Sequence, residues 1–298
     1  MNSILEQFQK FGDVDTGSTF HDLTTYKVGG PVDYVVYPND SFSLQAILDI
    51  CKDNSIPHKI MGHGSNMLCS EKPYHGAVIK LGRNMNKVYY DDEEVVVQAG
   101  YSIISLSYDC MKRSLSGLEF ASGIPGTVGG CVFMNAGAYK KSMSDIITAV
   151  QVLKGNDLVW ISNEECEFGY RTSVFSRHPE WIIVAAKLQL QQGNREEIQA
   201  LMKERQERRF NSQPLQYPSA GSVFRNFDDR FAWQLVDEIG YRGKCYGDAC
   251  VSEKHSNFII NRGNATADEI LRLIEDIKKE VRERFGVEMV LEVERFNW

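Results

Sequence analysis

Three side chains in this sequence combine a reactive or ionic group with surroundings in which that group needs a partner. Arg171 lies among aromatic residues, and its planar guanidinium matches a carboxylate, although a structural ion pair would explain it too. Ser222 lies between a glycine and apolar residues, where a hydroxyl can be a nucleophile, a proton donor or part of an ordinary turn. Glu292 follows a leucine near the C-terminus, and a carboxylate in such an apolar setting needs a partner. Carboxylate recognition and proton transfer are the chemistry that these residue types can perform.

Residues 117–139 form a stretch that is rich in glycine and poor in charge. Its glycines stand at positions 117, 123, 126, 129, 130 and 137. Glycine lets a backbone approach a ligand closely, and a run of bare N–H groups makes a concavity that suits phosphate oxygens. The alternative is a tight chain crossing between packed layers. The number of glycines among small and apolar residues favours a bound cofactor.

A second candidate phosphate loop comes earlier in the chain, where hydroxyl, amide and unhindered N–H groups follow a predicted strand. Its members are Gly62, His63, Gly64, Ser65, Asn66 and Met67. The loop lacks the third glycine of the GxGxxG pattern, and a strand-like segment rather than a helix follows it. A Walker motif is absent as well. A nucleotide bound here would therefore use neither of those two familiar folds.

The segments that must position these groups alternate between strand-like and helical patterns from about residue 25 to 190, which predicts an α+β domain rich in short strands. Helices are predicted over 41–54 and 102–115, with Ser41 as the cap of the first. A composition shift at 191–194 marks a boundary, followed by a helix that begins at Asn194 and ends near residue 209. The last helix runs over 266–285, with Thr266 and Glu269 as its capping box and Gly286 as its stop. A terminal strand over 289–296 closes the chain.

Composition excludes several functional classes. The 298 residues are 43% hydrophobic and 24% charged, as in an ordinary globular protein. A net charge of −7 argues against a general nucleic-acid surface but permits a local basic pocket for an anionic small molecule. No apolar run approaches the roughly 20 residues of a membrane span, and the N-terminus does not resemble a signal peptide. We therefore expect a cytoplasmic protein that binds neither membrane nor nucleic acid.

The cysteines and histidines do not predict a metal site. The seven cysteines are odd in number and form no CxxC pair, so neither a disulfide framework nor a zinc ribbon is expected. Most of them are predicted to be reduced and buried. The six histidines are scattered, without an HExxH pattern. We predict no metal.

Seven segments in this order resemble the UDP-N-acetylenolpyruvoylglucosamine reductase family. They are KVGGP (27–31), GSN (64–66), GIPGTVGG (123–130), NAGAY (135–139), FGYR (168–171), PSAGSVF (218–224) and SEKHSNF (252–258). Each motif alone is weak, but seven in register are specific, and the resemblance covers about residues 20–293. The short link from Arg171 to Trp181 is similar to the compact class of the family, which lacks an inserted tyrosine loop.

The resemblance implies an α+β protein with the p-cresol-methylhydroxylase type of FAD-binding fold and a C-terminal α+β substrate-binding domain. The expected divisions are 1–82 and 83–192 for the two FAD-binding subdomains and 193–287 for the substrate domain, with the strand 288–298 returning to the first subdomain. It further implies noncovalent FAD, NADPH as co-substrate, a UDP-sugar as substrate and a monomeric enzyme. The implied reaction reduces the enolpyruvyl ether of UDP-N-acetylglucosamine-enolpyruvate to UDP-N-acetylmuramate.

The resemblance also assigns roles to individual residues. Ser222 would give a proton to C2 of the substrate enolate, while Arg171 and Glu292 would bind and polarise the substrate carboxyl group. The implied cofactor-binding residues are Gly62, His63, Gly64, Ser65, Asn66, Met67, Gly123, Ile124, Pro125, Gly126, Thr127, Gly129, Gly130 and Gly137. The implied substrate-binding residues are Tyr139, Tyr170, Arg225, Asn226 and Lys254.

Three positions depart from the family pattern. His63 stands where the family has a glycine, and FAD is still expected to be noncovalent. A lysine common after the paired arginines is replaced near Asn211 and Ser212. The family often has an arginine after Glu-Val near the C-terminus; this chain has Glu294 at that position and Arg295 one place later. A shift by one residue in a strand turns the side chain to the other side. Glu292 is therefore preferred to Glu294.

Two other functions are compatible with the same fold. A sugar or alcohol oxidase would return electrons to oxygen and need no NADPH. A flavin-binding protein without catalytic activity would keep the cofactor loops, but it would not need Arg171, Ser222 and Glu292 together.

Overall fold

The structure, a computed structural model, describes residues 3–298. Its α-helices in chain order are α1 (Ile4–Phe8), α2 (Phe20–Leu23), α3 (Ser41–Asp53), α4 (Ile103–Lys112), α5 (Val128–Phe133), α6 (Arg195–Ser212), α7 (Ala232–Glu238) and α8 (Ala267–Phe285). Single 3-10 turns cover Glu119–Ala121, Met143–Asp145 and Val174–Ser176. The mixture of helices with many short strands is that of the α+β class.

The strands are short, as the sequence pattern predicts. In chain order they are β1 (Gly12–Asp15), β2 (Val32–Pro38), β3 (His58–Met61), β4 (Met67–Cys69), β5 (Tyr74–Lys80), β6 (Val88–Asp91), β7 (Glu94–Gln98), β8 (Leu115–Ser116), β9 (Gly137–Ala138), β10 (Lys141–Ser142), β11 (Ile147–Lys154), β12 (Asp157–Ser162), β13 (Trp181–Gln189), β14 (Gln191–Gln192), β15 (Cys245–Tyr246), β16 (Ala249–Val251), β17 (Ile259–Asn261) and β18 (Glu294–Phe296).

The chain forms two compact units. The first contains residues 3–16 together with Tyr34–His63 and His75–Glu207. The second contains Gly17–Asp33, Gly64–Tyr74 and Arg208–Trp298. The three domains expected from the sequence are defined by what they bind, and that division stays a prediction.

A four-stranded and a five-stranded sheet form the framework of the first unit. The strand order is β1-β2-β5-β3 in the four-stranded sheet, where β3 runs parallel to β5. The five-stranded sheet is antiparallel, with the order β12-β11-β13-β7-β6. Alternation along β7 buries Val95 and Val97 and leaves Val96 half-exposed. In β13 the run 182–186 is continuously buried, and α5, which follows the glycine-rich segment, packs against this strand and against β7.

Helix α8 provides the apolar face on which the second unit is built. Its stripe of fully buried residues has helical spacing and consists of Ile270, Leu273, Ile274, Ile277 and Val281. This stripe belongs to the same core cluster as residues of α7, β16 and β17. At its start, Glu269 N donates to Thr266 Oγ1 at 3.2 Å and Thr266 N donates to the Glu269 carboxylate at 2.9 Å. Gly286, in the left-handed conformation at φ 68°, ends the helix, so the predicted capping box and stop are confirmed.

Other element predictions differ in their ends. The first long helix is capped by Asp40, which accepts from Ser43 N at 2.7 Å, so the prediction of Ser41 as cap is wrong by one residue. The predicted start of the next helix at Asn194 is confirmed, because Asn194 precedes α6 and its side-chain oxygen accepts from Glu197 N at 3.1 Å. The last strand, β18, is shorter than predicted. The residues before it hydrogen-bond to the segment 223–225 instead.

Two of the seven cysteines form a disulfide. Cys245 and Cys250 lie directly opposite each other in the hairpin of β15 and β16 and are joined by a disulfide. The prediction of unpaired cysteines is therefore wrong for these two, because a tight hairpin turn brings positions five residues apart face to face. The other five cysteines are buried and unbonded, as predicted.

Residues 3–298 contain neither a membrane-spanning helix nor a cluster of metal-binding side chains. None of their helices combines the length and the apolarity needed to cross a membrane. Nor do these residues bring together three histidine, cysteine, aspartate or glutamate side chains that could hold a metal ion.

Candidate active site

In the first unit, the two predicted phosphate loops approach each other at Gly62 and Thr127. Gly62 follows β3, and Thr127 caps α5 by accepting from Gly130 N at 3.3 Å. A Cβ on Gly62 would lie far inside the contact distance of Thr127 Oγ1. Glycine is therefore required at position 62 for this close approach.

Part of the glycine-rich backbone forms a tight chain crossing between packed layers, which was the alternative to a cofactor-binding loop. Val128 N donates to Tyr101 O at 2.8 Å, and Gly129 N donates to Ala99 O at 2.8 Å. A Cβ on Gly129 would stand only 2.8 Å from the Cβ of Ala99, so this glycine allows the chains to pack closely. The stretch thus has a structural function at its α5 end. Close approach to a cofactor is left to its remaining backbone.

Two basic side chains lie at the Gly62 loop. Lys80, the last residue of β5, donates from Nζ to the carbonyl of Gly62 at 3.0 Å. Burial lowers the pKa of His63, and the positive charge of Lys80 lowers it further. The loop therefore combines a bare backbone with a fixed ammonium group. This combination suits the negative charge of a dinucleotide's diphosphate.

The second half of the first loop lies in the other unit, where it holds the segment that contains Glu292. Asn66 Nδ2 donates to Glu292 O at 2.9 Å, and Glu294 N donates to Asn66 O at 2.8 Å. Met67 then pairs with Glu294 in the parallel ladder of β4 and β18. The side chain of Asn66 is thus bound to the protein's own backbone next to a predicted catalytic residue.

Arg171 lies in a loop that is bonded reciprocally to a second loop of the first unit. Arg171 Nη2 donates to Gly137 O at 2.9 Å, and Asn135 Nδ2 donates to Gly169 O at 3.0 Å. Both Asn135, at φ 42°, and Arg171, at φ 54°, adopt the left-handed conformation that side chains rarely take. Such backbone strain is typical of functional sites and requires surrounding contacts to hold it.

Tyr139 lies in a hairpin turn between β9 and β10 that is strained in the same way. Tyr139 and Lys140 have φ values of 55° and 61°, where a two-residue turn usually has asparagine or glycine. The Tyr139 hydroxyl donates to Arg205 O at 3.0 Å, and the Arg205 guanidinium lies 4.8 Å from the centre of the Tyr139 ring. Tyr170, which precedes Arg171, is 53% exposed.

Ser222 precedes a short buried segment of the second unit that has hydrogen-bonded neighbours on both edges. On one edge, Glu292 N donates to Val223 O at 2.8 Å. On the other edge, Val223 N donates to Asn257 O at 2.8 Å. Ser222 and Glu292 are both half-buried and are connected through the single residue Val223.

The three remaining predicted substrate residues all lie in the second unit. Arg225 continues the same segment, and its N–H donates to Val290 O at 2.9 Å. Asn226 is exposed and accepts from Ala232 N at 3.0 Å. Lys254 donates from Nζ to the carbonyl of Phe210.

Comparison with known proteins adds independent observations. One family model that matches is described as the C-terminal domain of UDP-N-acetylenolpyruvoylglucosamine reductase and covers residues 213–296; another, an FAD binding domain, covers residues 32–161. The UDP-N-acetylenolpyruvoylglucosamine reductase of Anoxybacillus flavithermus is 43% identical over 284 residues, which are 95% of this chain and 94% of that protein. The chain belongs to the UDP-N-acetylenolpyruvoylglucosamine reductase family.

Solved structures agree with this membership. The reductase from Thermus caldophilus superposes with a TM-score of 0.83 and 33% identity, over 96% of this chain and 100% of that chain. A solvent-stable cholesterol oxidase superposes with a TM-score of 0.50 and 14% identity over 62% of this chain and 38% of that chain, a likeness that shows the fold alone. The predicted α+β architecture with an FAD-binding fold of the p-cresol-methylhydroxylase type is confirmed.

Within this reductase fold, the predicted residues fall into the two units. Gly62, His63, residues 123–130, Gly137, Tyr139, Tyr170 and Arg171 belong to the first unit. Residues 64–67, Ser222, Arg225, Asn226, Lys254 and Glu292 belong to the second. Inside each unit, the geometry brings Gly62 close to Thr127 and brings Ser222 close to Glu292.

Sequence reasoning missed two residues that hold these groups in place. Lys80 ends an apolar strand, and its charge at that position was the signal that could have identified it. Asn257 lies inside the motif of residues 252–258, but nothing in the sequence connects it with Val223 or Phe224 more than thirty positions away.

Proposed function

We propose that Arg171, Ser222 and Glu292 are the side chains with which this protein reduces the enolpyruvyl ether of UDP-N-acetylglucosamine-enolpyruvate. As a member of the reductase family, the chain is an FAD-containing oxidoreductase that uses NADPH and forms UDP-N-acetylmuramate for peptidoglycan synthesis. The contacts around Arg171, Ser222 and Glu292 support a separate role for each residue.

The cofactor loops are suited to noncovalent FAD. Gly62 and Thr127 present a close pair of backbone turns, and Lys80 Nζ supplies positive charge at the same loop. We assign the cofactor contacts to Gly62, His63, Gly64, Ser65, Asn66, Met67, Gly123, Ile124, Pro125, Gly126, Thr127, Gly129, Gly130 and Gly137. Bound FAD, reduced by NADPH, supplies the hydride that C3 of the enolpyruvyl group receives.

Ser222 provides the proton that completes the reduction. Addition of hydride at C3 leaves an electron pair on C2, delocalised into the adjacent carboxyl group as an enolate. The Ser222 O–H bond breaks as the new C2–H bond forms, and solvent returns a proton to the serine oxygen. Serine is a weak acid, so the basicity of the enolate must drive this transfer.

Arg171 and Glu292 act on the substrate carboxyl group. The planar guanidinium of Arg171 can donate two parallel hydrogen bonds, which strengthen as charge develops on the carboxyl oxygens. Its bond to Gly137 O at 2.9 Å fixes the orientation of the fork beforehand. Glu292, which is half-buried, is assigned to the same group, where it helps to bind and polarise the carboxyl as charge develops.

We assign the rest of the substrate to Tyr139, Tyr170, Arg225, Asn226 and Lys254. Tyr170 offers an exposed aromatic face for a sugar or base, being 53% accessible. Lys254 would have to exchange its bond with Phe210 O for a substrate phosphate oxygen. Arg225 lies three positions beyond Ser222 on a segment whose backbone is fixed on both edges.

The observation that carries the proposal is the connection of Ser222 and Glu292 through Val223, at a Glu292 N to Val223 O distance of 2.8 Å. The proposed proton donor and a proposed carboxyl-binding group therefore share one rigid backbone unit. Activity is tested by NADPH consumption that depends on the enolpyruvyl sugar nucleotide and proceeds without oxygen uptake. Oxygen uptake with a simple sugar or alcohol would instead indicate the oxidase.

A Ser222→Ala variant tests the mechanism. Its turnover should fall by about two to four orders of magnitude, as expected for the loss of a general acid, while NADPH still reduces the bound flavin at the original rate. Ser219→Ala, three positions earlier in the same motif, serves as the matched control. Unchanged turnover of Ser222→Ala would remove Ser222 from the mechanism.

We also propose that the protein works in the cytoplasm as a monomer, without a nucleic-acid or membrane partner. NADPH and nucleotide sugars are cytoplasmic metabolites, and the net charge of −7 disfavours nucleic acid. Light scattering during size-exclusion chromatography, compared with the 33.8 kDa chain mass, tests the oligomeric state.

A further inference from the structure

We infer that Asn257 is a positioning residue for the proton transfer by Ser222. The inference rests on the proposed role of Ser222 as proton donor. Its structural basis is a side-chain amide that takes the place of a neighbouring β-strand beside the residues that follow Ser222.

Three hydrogen bonds join Asn257 to Val223 and Phe224. Asn257 Oδ1 accepts from Phe224 N at 3.0 Å, and Asn257 Nδ2 donates to Phe224 O at 2.8 Å. The backbone oxygen of Asn257 accepts from Val223 N at 2.8 Å. One residue thus satisfies the N–H of Val223 and both backbone groups of Phe224.

Only a planar amide of this length can do so. Asparagine presents one acceptor and one donor side by side, as a strand residue does, and the orientation of its amide is fixed because each end faces a complementary backbone group. Asn257 is 3% exposed and Phe224 is 1% exposed, so water does not readily replace these bonds. Regular strand pairing begins two residues later, at Ile259 in β17.

The opposite edge of the segment is bonded to residues 290–292, which include the predicted catalytic residue Glu292. Arg225 N donates to Val290 O at 2.9 Å, and Phe224 forms an isolated antiparallel bridge with Leu291. Together with the bond from Glu292 N to Val223 O, these contacts place the segment between Asn257 and residues 290–292. The position of the Ser222 hydroxyl relative to Glu292 therefore depends on Asn257.

The loop that contains Asn257 is itself held firmly. Ser256 Oγ donates to the Asp237 carboxylate, which also accepts from Arg242 Nε at 3.0 Å. Asn257 N donates to His255 Nδ1 at 3.3 Å, and Phe258 N donates to His255 O at 2.9 Å. The clamp on Phe224 thus has a rigid base, which a positioning residue requires.

The experiment is a double-mutant cycle between Asn257→Ala and Ser222→Ala, followed in the two half-reactions of the loaded enzyme. We expect Asn257→Ala to slow the reoxidation of reduced flavin by the enolpyruvyl substrate by about 10- to 100-fold, the usual effect of misplacing a catalytic group by roughly 1 Å. Reduction of the flavin by NADPH should keep its rate. The solvent deuterium isotope effect on reoxidation should rise, because proton transfer becomes slower than hydride transfer.

In the Ser222→Ala background, Asn257→Ala should cause no further slowing, because the hydroxyl that it positions is already gone. Equal slowing in both backgrounds, equal slowing of both half-reactions, or no slowing at all would overturn the inference. If Ser222→Ala alone reacts at the normal rate, the proton-donor assignment fails first, and this result is distinguishable from the others.

Two further variants separate positioning from folding. Asn261→Ala is the matched control: Asn261 is 1% exposed, lies in the same unit, and its side chain donates to Tyr26 O at 3.1 Å and accepts from Gly263 N at 2.8 Å. Its thermal stability should fall, while its ratio of half-reaction rates stays normal. If Asn257→Ala does not fold, Asn257→Asp keeps the volume and one bond but turns an oxygen towards Phe224 O, and the same selective slowing is required of it.

Discussion

Asn135 and Arg171 each donate a hydrogen bond to a carbonyl in the other residue's loop. Asn135 Nδ2 donates to Gly169 O at 3.0 Å, and Arg171 Nη2 donates to Gly137 O at 2.9 Å. Each acceptor thus lies two residues from the other bond's donor. Since both donors have positive φ, the pair holds two strained backbones against one another. The guanidinium that we assign to the substrate carboxyl group is therefore oriented before substrate arrives.

Replacement of Asn135 by alanine should loosen the Arg171 loop. The variant removes the bond from Asn135 Nδ2 to Gly169 O and the bond from Ser144 N to Asn135 Oδ1 at 2.9 Å. The free energy of unfolding should therefore fall by about 1–3 kcal/mol. The KM for the enolpyruvyl substrate should rise because Arg171 is less well ordered. Urea unfolding and steady-state kinetics measure the two effects.

The control for this variant is Asn163→Ala. Asn163 Nδ2 donates to Ser144 O at 3.0 Å and Ile147 O at 2.7 Å, so it stabilises the neighbouring turn without contacting the loop 169–171. It should lose stability without a change in KM. A Asn135→Ala enzyme with normal KM despite reduced stability would contradict the positioning role.

Arg171→Lys should reduce activity strongly even though the substitution keeps the positive charge. Lysine keeps a positive charge but lacks the planar fork that pairs with both carboxyl oxygens, so kcat/KM should fall by about 10²-fold or more. Arg177→Lys is the control, because Arg177 lies six residues further along the chain and forms an exposed ion pair with Glu167. If Arg171→Lys retained full activity, a simple point charge would suffice at this position.

The sequence predicted helices better than contacts. The capping box and glycine stop of α8 are local signals, and they appear where expected because they depend on residues three or four positions apart. The disulfide between Cys245 and Cys250 was not expected, because an odd number of cysteines without a CxxC pair does not indicate one, although Gly247 and Asp248 between the two strands are a hairpin turn signal.

The sequence predicted which residues belong to the candidate site but not which of them contact one another. A motif identified Asn66 and an apolar setting identified Glu292, yet their hydrogen bond connects positions 226 apart in the chain. The use of Asn257 as a substitute strand could not be predicted either, because it depends on the packing of the segment 223–225. Such pairings follow from the tertiary fold rather than from local propensity.

A Gly62→Ala variant tests the cofactor loops directly. The added Cβ would collide with Thr127 Oγ1, so the two loops must separate, and FAD affinity should fall about tenfold or more, equivalent to about 1.4 kcal/mol. The flavin absorption of the purified protein and titration of the apoprotein with FAD measure this. Gly82→Ala is the control, since a Cβ there has nothing within 4 Å. FAD binding of Gly62→Ala at the level of Gly82→Ala would argue against the assignment.

The hairpin disulfide should stabilise the second unit modestly. Loop-closure entropy for a cysteine separation of five residues corresponds to about 2 kcal/mol in the chain-entropy treatment. Protein purified without reductant should show five reactive thiols out of seven after denaturation, and reductant should lower its Tm. A Cys245→Ser, Cys250→Ser double variant should start at the lower Tm and not respond to reductant. Seven reactive thiols in the unreduced protein would show that the bond does not form.

Asp237 should make the stability of the second unit depend on acid pH. Burial alone would raise the pKa of this carboxyl, but hydrogen bonds from Arg242 and Ser256 lower it below its ordinary value of 3.8. A depressed pKa means that the carboxylate stabilises the fold at pH values above 3.8 and that this contribution is lost as pH falls towards the folded pKa. Asp237→Asn should therefore be about 1 kcal/mol less stable than the parent at neutral pH, with the difference shrinking as pH falls below 3.8. Urea unfolding across this range measures it, with the exposed Asp228→Asn as control. A difference that stays constant with pH would mean that Asp237 stabilises the loop of Asn257 without its charge.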